Sequence, residues 1–176
     1  MKAEELNQRL SAGERNFPEV DLSGEDLSGM DLTEVKLTDA ILKQTNLTGA
    51  RLKAAELTGA DLTEANLTEA NLTGASLYEA NLPKANLTRA RLDQASLQGA
   101  NLTEANLTEA NLIQTDLTTA NLTRANLTRV DLDRAIYKST DFSYVDLSQA
   151  DLTGVNLDDM VLDNTTLPEN LQQSSV

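Results

Sequence analysis

Histidine, cysteine and tryptophan are all missing from the 176 residues of this chain. Without cysteine there are no disulfides and no thiolate metal sites. Without histidine the commonest general base is gone, and with cysteine also absent the usual nucleophile pairs cannot form. The residue content therefore points away from an enzyme and implies no cofactor. Aromatics make up only 3% of the chain, so leucine and alanine must supply a core that is narrow and regular. No run approaches the roughly 20 apolar residues that span a bilayer, and the opening MKAEELNQRLSAGERNF lacks the apolar stretch of a secretion signal. We expect a cytoplasmic protein with no membrane contact. The net charge of −14 disfavours nucleic acid as a direct partner. That charge sits at the ends, −8 over residues 1–80 and −6 over 136–176, with a neutral middle.

What is present is a repeat of five. From Val20 onward every fifth residue, Leu22 through Leu167, is large and apolar; of these 30 positions 28 are leucine, the others Tyr137 and Phe142. Two residues earlier lies a second inward rank, mostly alanine, with threonine at four places and Glu25 at one. Neither 3.6 nor 2 divides five, so the pattern describes neither a helix nor a flat strand. All three prolines directly follow the large position, and seven of the eight glycines come one residue later. Those are the preferences of the two central residues of a β-turn. A chain that bends every five residues forms a coil.

Charge alternation gives the number of sides. At a spacing of 20, Glu64, Lys84, Glu104 and Arg124 alternate in sign, as do Glu69, Arg89, Glu109 and Arg129. A spacing of 15 sets Glu64 against Glu79. Four quintets per coil follow, hence about 7.5 coils and a rod on the order of 36 Å long at the ~4.8 Å spacing of stacked backbones. Leu62, Leu82, Leu102, Leu122 and Phe142 then form one column of the core.

The A(N/D)LXX tandem over about residues 17–169 resembles the pentapeptide-repeat family. The resemblance implies an all-β solenoid, a right-handed quadrilateral β-helix. The fold expected is a helical cap over 1–16, the β-helix over 17–169 and a mobile tail over 170–176. Leu6, Leu10 and Phe17 are expected to close the first coil, with a helix over about 2–12; similar caps occur in cyanobacterial-type members. Glu25 is expected where that coil is still open to solvent. At the other end a short 168–172 segment caps the last coil, or a second copy does; a homodimer through the C-terminal coil follows by resemblance to some relatives.

Function is expected to be non-catalytic, a rod that binds a protein partner. Among outward apolar residues (Ile41, Tyr78, Ile113, Ile136, Tyr144 and Val161), the candidate partner patch is Ile136, Tyr144 and Val161. The alternative implied by resemblance is an acidic DNA mimic that binds DNA gyrase and modulates fluoroquinolone action. Further alternatives are ice binding by the Asn46–Asn126 and Thr48–Thr128 ranks, and an ion held by Asp131, Asp133 and Asp151.

Overall fold

The computed structural model describes residues 1–150, 152 and 156–172. One quintet, Ala60 to Glu64, explains the architecture. Ala60 N–H donates to the Leu57 carbonyl (3.0 Å) and closes a β-turn. Asp61 N–H reaches back one coil to Ala40, while Leu62 and Glu64 N–H reach forward to Asn81 and Pro83. Only the Thr63 N–H has no main-chain partner, and the Asp61 carboxylate accepts it at 3.1 Å. Every amide of the quintet is thus satisfied. This explains the Asn/Asp preference: a short acceptor two residues before the turn amide forms an Asx turn. It also explains Pro83, which has no N–H to satisfy at the equivalent site.

Glu64 has φ +57, as do its equivalents at five-residue intervals within a few degrees. A positive φ at the third turn residue is the mark of a type II turn. Gly59 occupies this site for a second reason. A Cβ there would lie 2.2 Å from the Asp39 carboxylate folded over it from the previous coil.

Every isolated bridge joins residues 20 apart and in parallel, from Asn16–Lys36 to Asp146–Thr166. The coil is therefore four-sided. We number the walls by the leucines they contain: wall 1 holds Leu62 and Leu82, wall 2 Leu67 and Leu87, wall 3 Leu72 and Leu92, wall 4 Leu57 and Leu77. The column Leu62, Leu82, Leu102, Leu122 and Phe142 is fully buried, and the alanine ranks are nearly so. Burial of this apolar surface is the main source of stability. Thr45, Thr115 and Thr140 replace alanine in the core, and each hydroxyl donates to a leucine carbonyl 23 residues earlier, at 2.7–2.8 Å.

Helix α1 (Ala3–Ser11) covers the first coil, burying Leu6 and Leu10 against Phe17. The structure corrects the expectation for Glu25. Its side chain is only 15% exposed and lies under the helix start, where it accepts Lys2 Nζ at 2.6 Å and the Ala3 N–H at 2.8 Å. A carboxylate is stabilised there by the free amides and the positive end of the helix dipole.

The C-terminal coils depart from the pattern. Tyr137 occupies a leucine position, and its longer side chain brings the phenol oxygen to the Asn156 N–H at 2.7 Å. Beyond it, a 3-10 turn at Leu157–Asp159 shifts the ladder: Ser139 N–H bonds Asp159, 20 residues on, whereas Thr119 bonds Lys138, 19 on. The repeat is thus interrupted once, contrary to its unbroken sequence register. Strands β1 (Thr140–Asp141) and β2 (Met160–Val161) then restore pairing. Helix α2 (Glu169–Gln172) follows, with Leu171 packed on the core. The tail expected from 170 therefore begins inside a helix; residues 173–176 lie outside the described residues.

Candidate functional site

With leucine and alanine ranks buried inside the described coils, the exposed side chains stand on the walls and corners. On wall 2 the Thr68, Thr88 and Thr108 hydroxyls each donate to the asparagine two residues earlier at 2.6 Å. Asn86 and Asn106 Nδ2 donate across coils to Thr68 and Thr88 at 3.0 Å. These donors are engaged within the molecule, which leaves them poorly placed to template ice. Among the described residues no buried side-chain polar atom lacks a partner.

The corners carry the charge columns. Arg89 pairs with Glu69 at 2.6 Å, Arg129 with Glu109 at 3.2 Å and Lys84 with Glu104 at 3.8 Å. Glu64 accepts from Gln44 at 2.8 Å. Arg124 lies over the Tyr144 ring one coil further on, 5.2 Å from its centroid, in a cation–π contact. Besides Lys43–Asp61 at 3.0 Å, two inter-coil pairs, Lys36–Glu56 and Arg51–Asp31, lie outside the glycine-tolerant position. The same test at the Asn/Asp position finds both.

Asp131 accepts the Asp133 N–H at 3.0 Å, and Asp133 pairs with Arg134 at 3.6 Å. Both have turn or surface partners, and Asp151 lies outside the described residues. Among the described residues no group of three carboxylates is arranged to hold a metal. Asp31 is held down to about 2 by the Thr33 hydroxyl, the Arg51 guanidinium and the Thr33 N–H. Asp21, Asp26 and Asp146 are lowered chiefly by the serine hydroxyls of their own turns.

Ile136 and Tyr144 are each 54% exposed and Val161 42%, against 42% for Tyr78 and 38% for Ile41; Ile113 is half-buried. The 20-residue circuit places Tyr144 and Val161 on wall 1, Val161 beside Asp141. Ile136 stands beside Asp116 on wall 4. The three therefore spread from wall 4 across wall 1 to its far corner, where Tyr144 stands in the Glu64–Arg124 column, rather than form one continuous face. A shallow groove of about 210 Å³ lies on the Ile136 side, lined by Ala135, Ile136, Tyr137, Lys138 and Asp159.

These features define a four-sided β-solenoid whose interior, over the described residues, is packed with leucine and alanine. The chain belongs to the pentapeptide-repeat family: the profile of that family matches eight overlapping copies between residues 16 and 167. It is therefore a right-handed quadrilateral β-helix. HetL, a pentapeptide repeat protein involved in heterocyst differentiation regulation from the cyanobacterium Nostoc sp. strain PCC 7120, is 30% identical with a TM-score of 0.54; the match covers 96% of this chain and 93% of HetL. Rfr23 from the cyanobacterium Cyanothece 51142 is 29% identical, covering 76% and 97%, with a TM-score of 0.49. The plasmid-mediated fluoroquinolone resistance protein QnrB1 is 16% identical, covering 89% and 88%, with a TM-score of 0.47. No curated protein sequence matches the chain. Among the described residues no helix is long and apolar enough to cross a membrane.

Proposed function

We infer that the protein is a non-catalytic rod that binds a protein partner at its C-terminal third. The observation that carries this reading is the exposure of three large apolar side chains, Ile136, Tyr144 and Val161, within two coils of each other near the C-terminal end. Large exposed apolar side chains grouped on a polar surface favour protein contact. The closed shaft supports the absence of catalysis, because an active site needs a concave pocket. The likeness to HetL, a protein involved in regulation, supports a binding role. The gyrase reading rests on the family resemblance, the rod shape and the acidic ends. The alternating glutamate and arginine columns across the middle of the rod interrupt the continuous negative surface that a DNA mimic needs.

The test is affinity capture from an extract of the source organism, comparing the natural chain with Ile136→Ser/Tyr144→Ser/Val161→Ser and with the control Ile41→Ser/Tyr78→Ser. We expect a protein enriched at least ten-fold by the natural chain and the control, and lost with the triple variant. Identical captures by all three overturn the placement of the site.

A further inference from the structure

Wall 2 is the most regular surface of the molecule: Ala-Asn-Leu-Thr-Glu alternates with Ala-Asn-Leu-Thr-Arg at 65–69, 85–89, 105–109 and 125–129. Its two edges are the charge columns, and they are in phase. Glu64 and Glu69 share a coil, as do Lys84 and Arg89, Glu104 and Glu109, and Arg124 and Arg129. All eight are exposed. The wall therefore carries horizontal bands of charge, negative, positive, negative, positive, about 4.8 Å apart. Such a pattern is self-complementary in one orientation only.

We propose that wall 2 is a docking surface for a second copy of this chain, laid face to face and antiparallel. A two-fold axis lying in the interface, across the rod, inverts the order of the bands. Glu64 then faces Arg124 of the second copy and Lys84 faces its Glu104. On the other edge Glu69 faces Arg129 and Arg89 faces Glu109. A two-fold along the rod instead sets Glu64 against Glu69 and Lys84 against Arg89, all like charges. Electrostatics thus selects the antiparallel arrangement.

A second feature agrees. The centre of the charge pattern lies between the 85–89 and 105–109 rungs, which is also the midpoint of wall 2 between its first rung, 25–29, and its last, 165–169. The copies consequently overlap along their whole length. The outer rungs bring Asn46 opposite Asp146, Gly49 opposite Gln149 and Asp26 opposite Thr166, with no like-charged pair. Between its edge columns wall 2 carries only short asparagine, aspartate, serine, threonine and proline side chains on its outer rungs, while at its rim Tyr144, 54% exposed, comes opposite Gln44. The contact is small and polar, of the weak, transient class, and its charges are exposed. It must therefore be sensitive to salt.

Sedimentation equilibrium over 1–500 μM protein tests this at 20 mM and 500 mM NaCl. The mass should rise from 19.0 kDa toward twice that value at low salt and return to the monomer at high salt. In the variant Glu69→Arg/Arg89→Glu/Glu109→Arg/Arg129→Glu, every sign in one column is inverted while alternation inside the molecule is kept, so the rod retains its inter-coil pairs. We expect this variant to pair with itself as the natural chain does, and to pair with the natural chain at least ten-fold more weakly. A monomer at every concentration and salt overturns the proposal. So does a dimer that resists salt, or one in which variant and natural chains mix freely; free mixing identifies another contact, such as the C-terminal coil.

Discussion

The two ends of the rod solve the same problem unequally. At the N-terminus, the nine-residue α1 covers the first rungs, and Phe17, Leu22, Leu27 and Leu32 are at most 2% exposed. At the C-terminus, the four-residue α2 leaves Leu157, Leu162 and Leu167 only partly buried, together with Tyr137 and Met160. The first end also has specific polar fastenings: Glu25 to Lys2 and Ala3, the Arg9–Glu14 ion pair, and Arg9 over the Phe17 ring at 4.8 Å. In a solenoid each coil is stabilised mainly by its neighbours, so an open terminal coil is the place where unfolding begins. The comparison teaches that this rod is closed at one end and frays from the other.

The most severe way to break the asymmetry is to remove the caps in turn. Deleting residues 1–12 removes Leu6 and Leu10 and uncovers the first coil beneath them, a loss of about 3–6 kcal/mol at ~1.5–3 kcal/mol per buried leucine. That corresponds to a melting midpoint lower by roughly 6–24 °C. Deleting 169–176 removes one half-buried leucine, Leu171, and should lower the midpoint by only about 2–6 °C. Calorimetry on the two truncations compares them; equal losses contradict the asymmetry.

Leucine truncation comes next. Leu102→Ala in the closed shaft should cost about 2–5 kcal/mol in urea unfolding. Leu167→Ala, at a site only partly buried, should cost about 1–2 kcal/mol, because less apolar area leaves water there. A smaller effect separates the core threonines. Thr115→Val removes a fully buried hydroxyl bond to the Leu92 carbonyl, at about 1 kcal/mol. Thr165→Val, whose bond to Phe142 is only partly buried, should cost about half as much.

Acid is the mildest probe. Asp31, Asp21 and Glu25 all lie in the first coil and are all lowered by their hydrogen-bond partners, Glu25 chiefly by Lys2. A carboxylate whose folded pKa is depressed stabilises the fold above its unfolded value. That contribution is lost as pH falls from the ordinary aspartate value, 3.8, toward about 2 for Asp31. Protection of the α1 amides, measured relative to the intrinsic exchange rate at each pH, should therefore fall below pH ~4, and Glu25→Gln should weaken that dependence. Protection factors that do not change between pH 5 and 2.5 contradict the Glu25 clasp.

Much of this molecule is legible before it is folded. The spacing of Glu69, Arg89, Glu109 and Arg129 gives the four-sided circuit that the Asn66–Asn86 and Asn86–Asn106 bridges display. Leu6 and Leu10 mark the covering face of α1. Less legible is Glu25, which reads as an anomaly in the repeat until α1 is seen above it. Equally, nothing local distinguishes Arg124, which reaches Tyr144, from Arg129, which pairs with Glu109. Tyr137 can be recognised as a departure, but the one-residue slip that follows at Leu157–Asp159 depends on where its hydroxyl lands.

Sequence alone determined the period, the number of sides, the inward ranks and the position of every regular turn. It could do so because each residue in a solenoid stacks on the residue one circuit away, so long-range contacts carry a fixed spacing. Tertiary structure decided the closures and the exceptions: the partner of Glu25, the choice made by Arg124, the slip after Tyr137 and the short α2. Those outcomes depend on side chains meeting where the spacing no longer holds, and only the folded geometry brings them together.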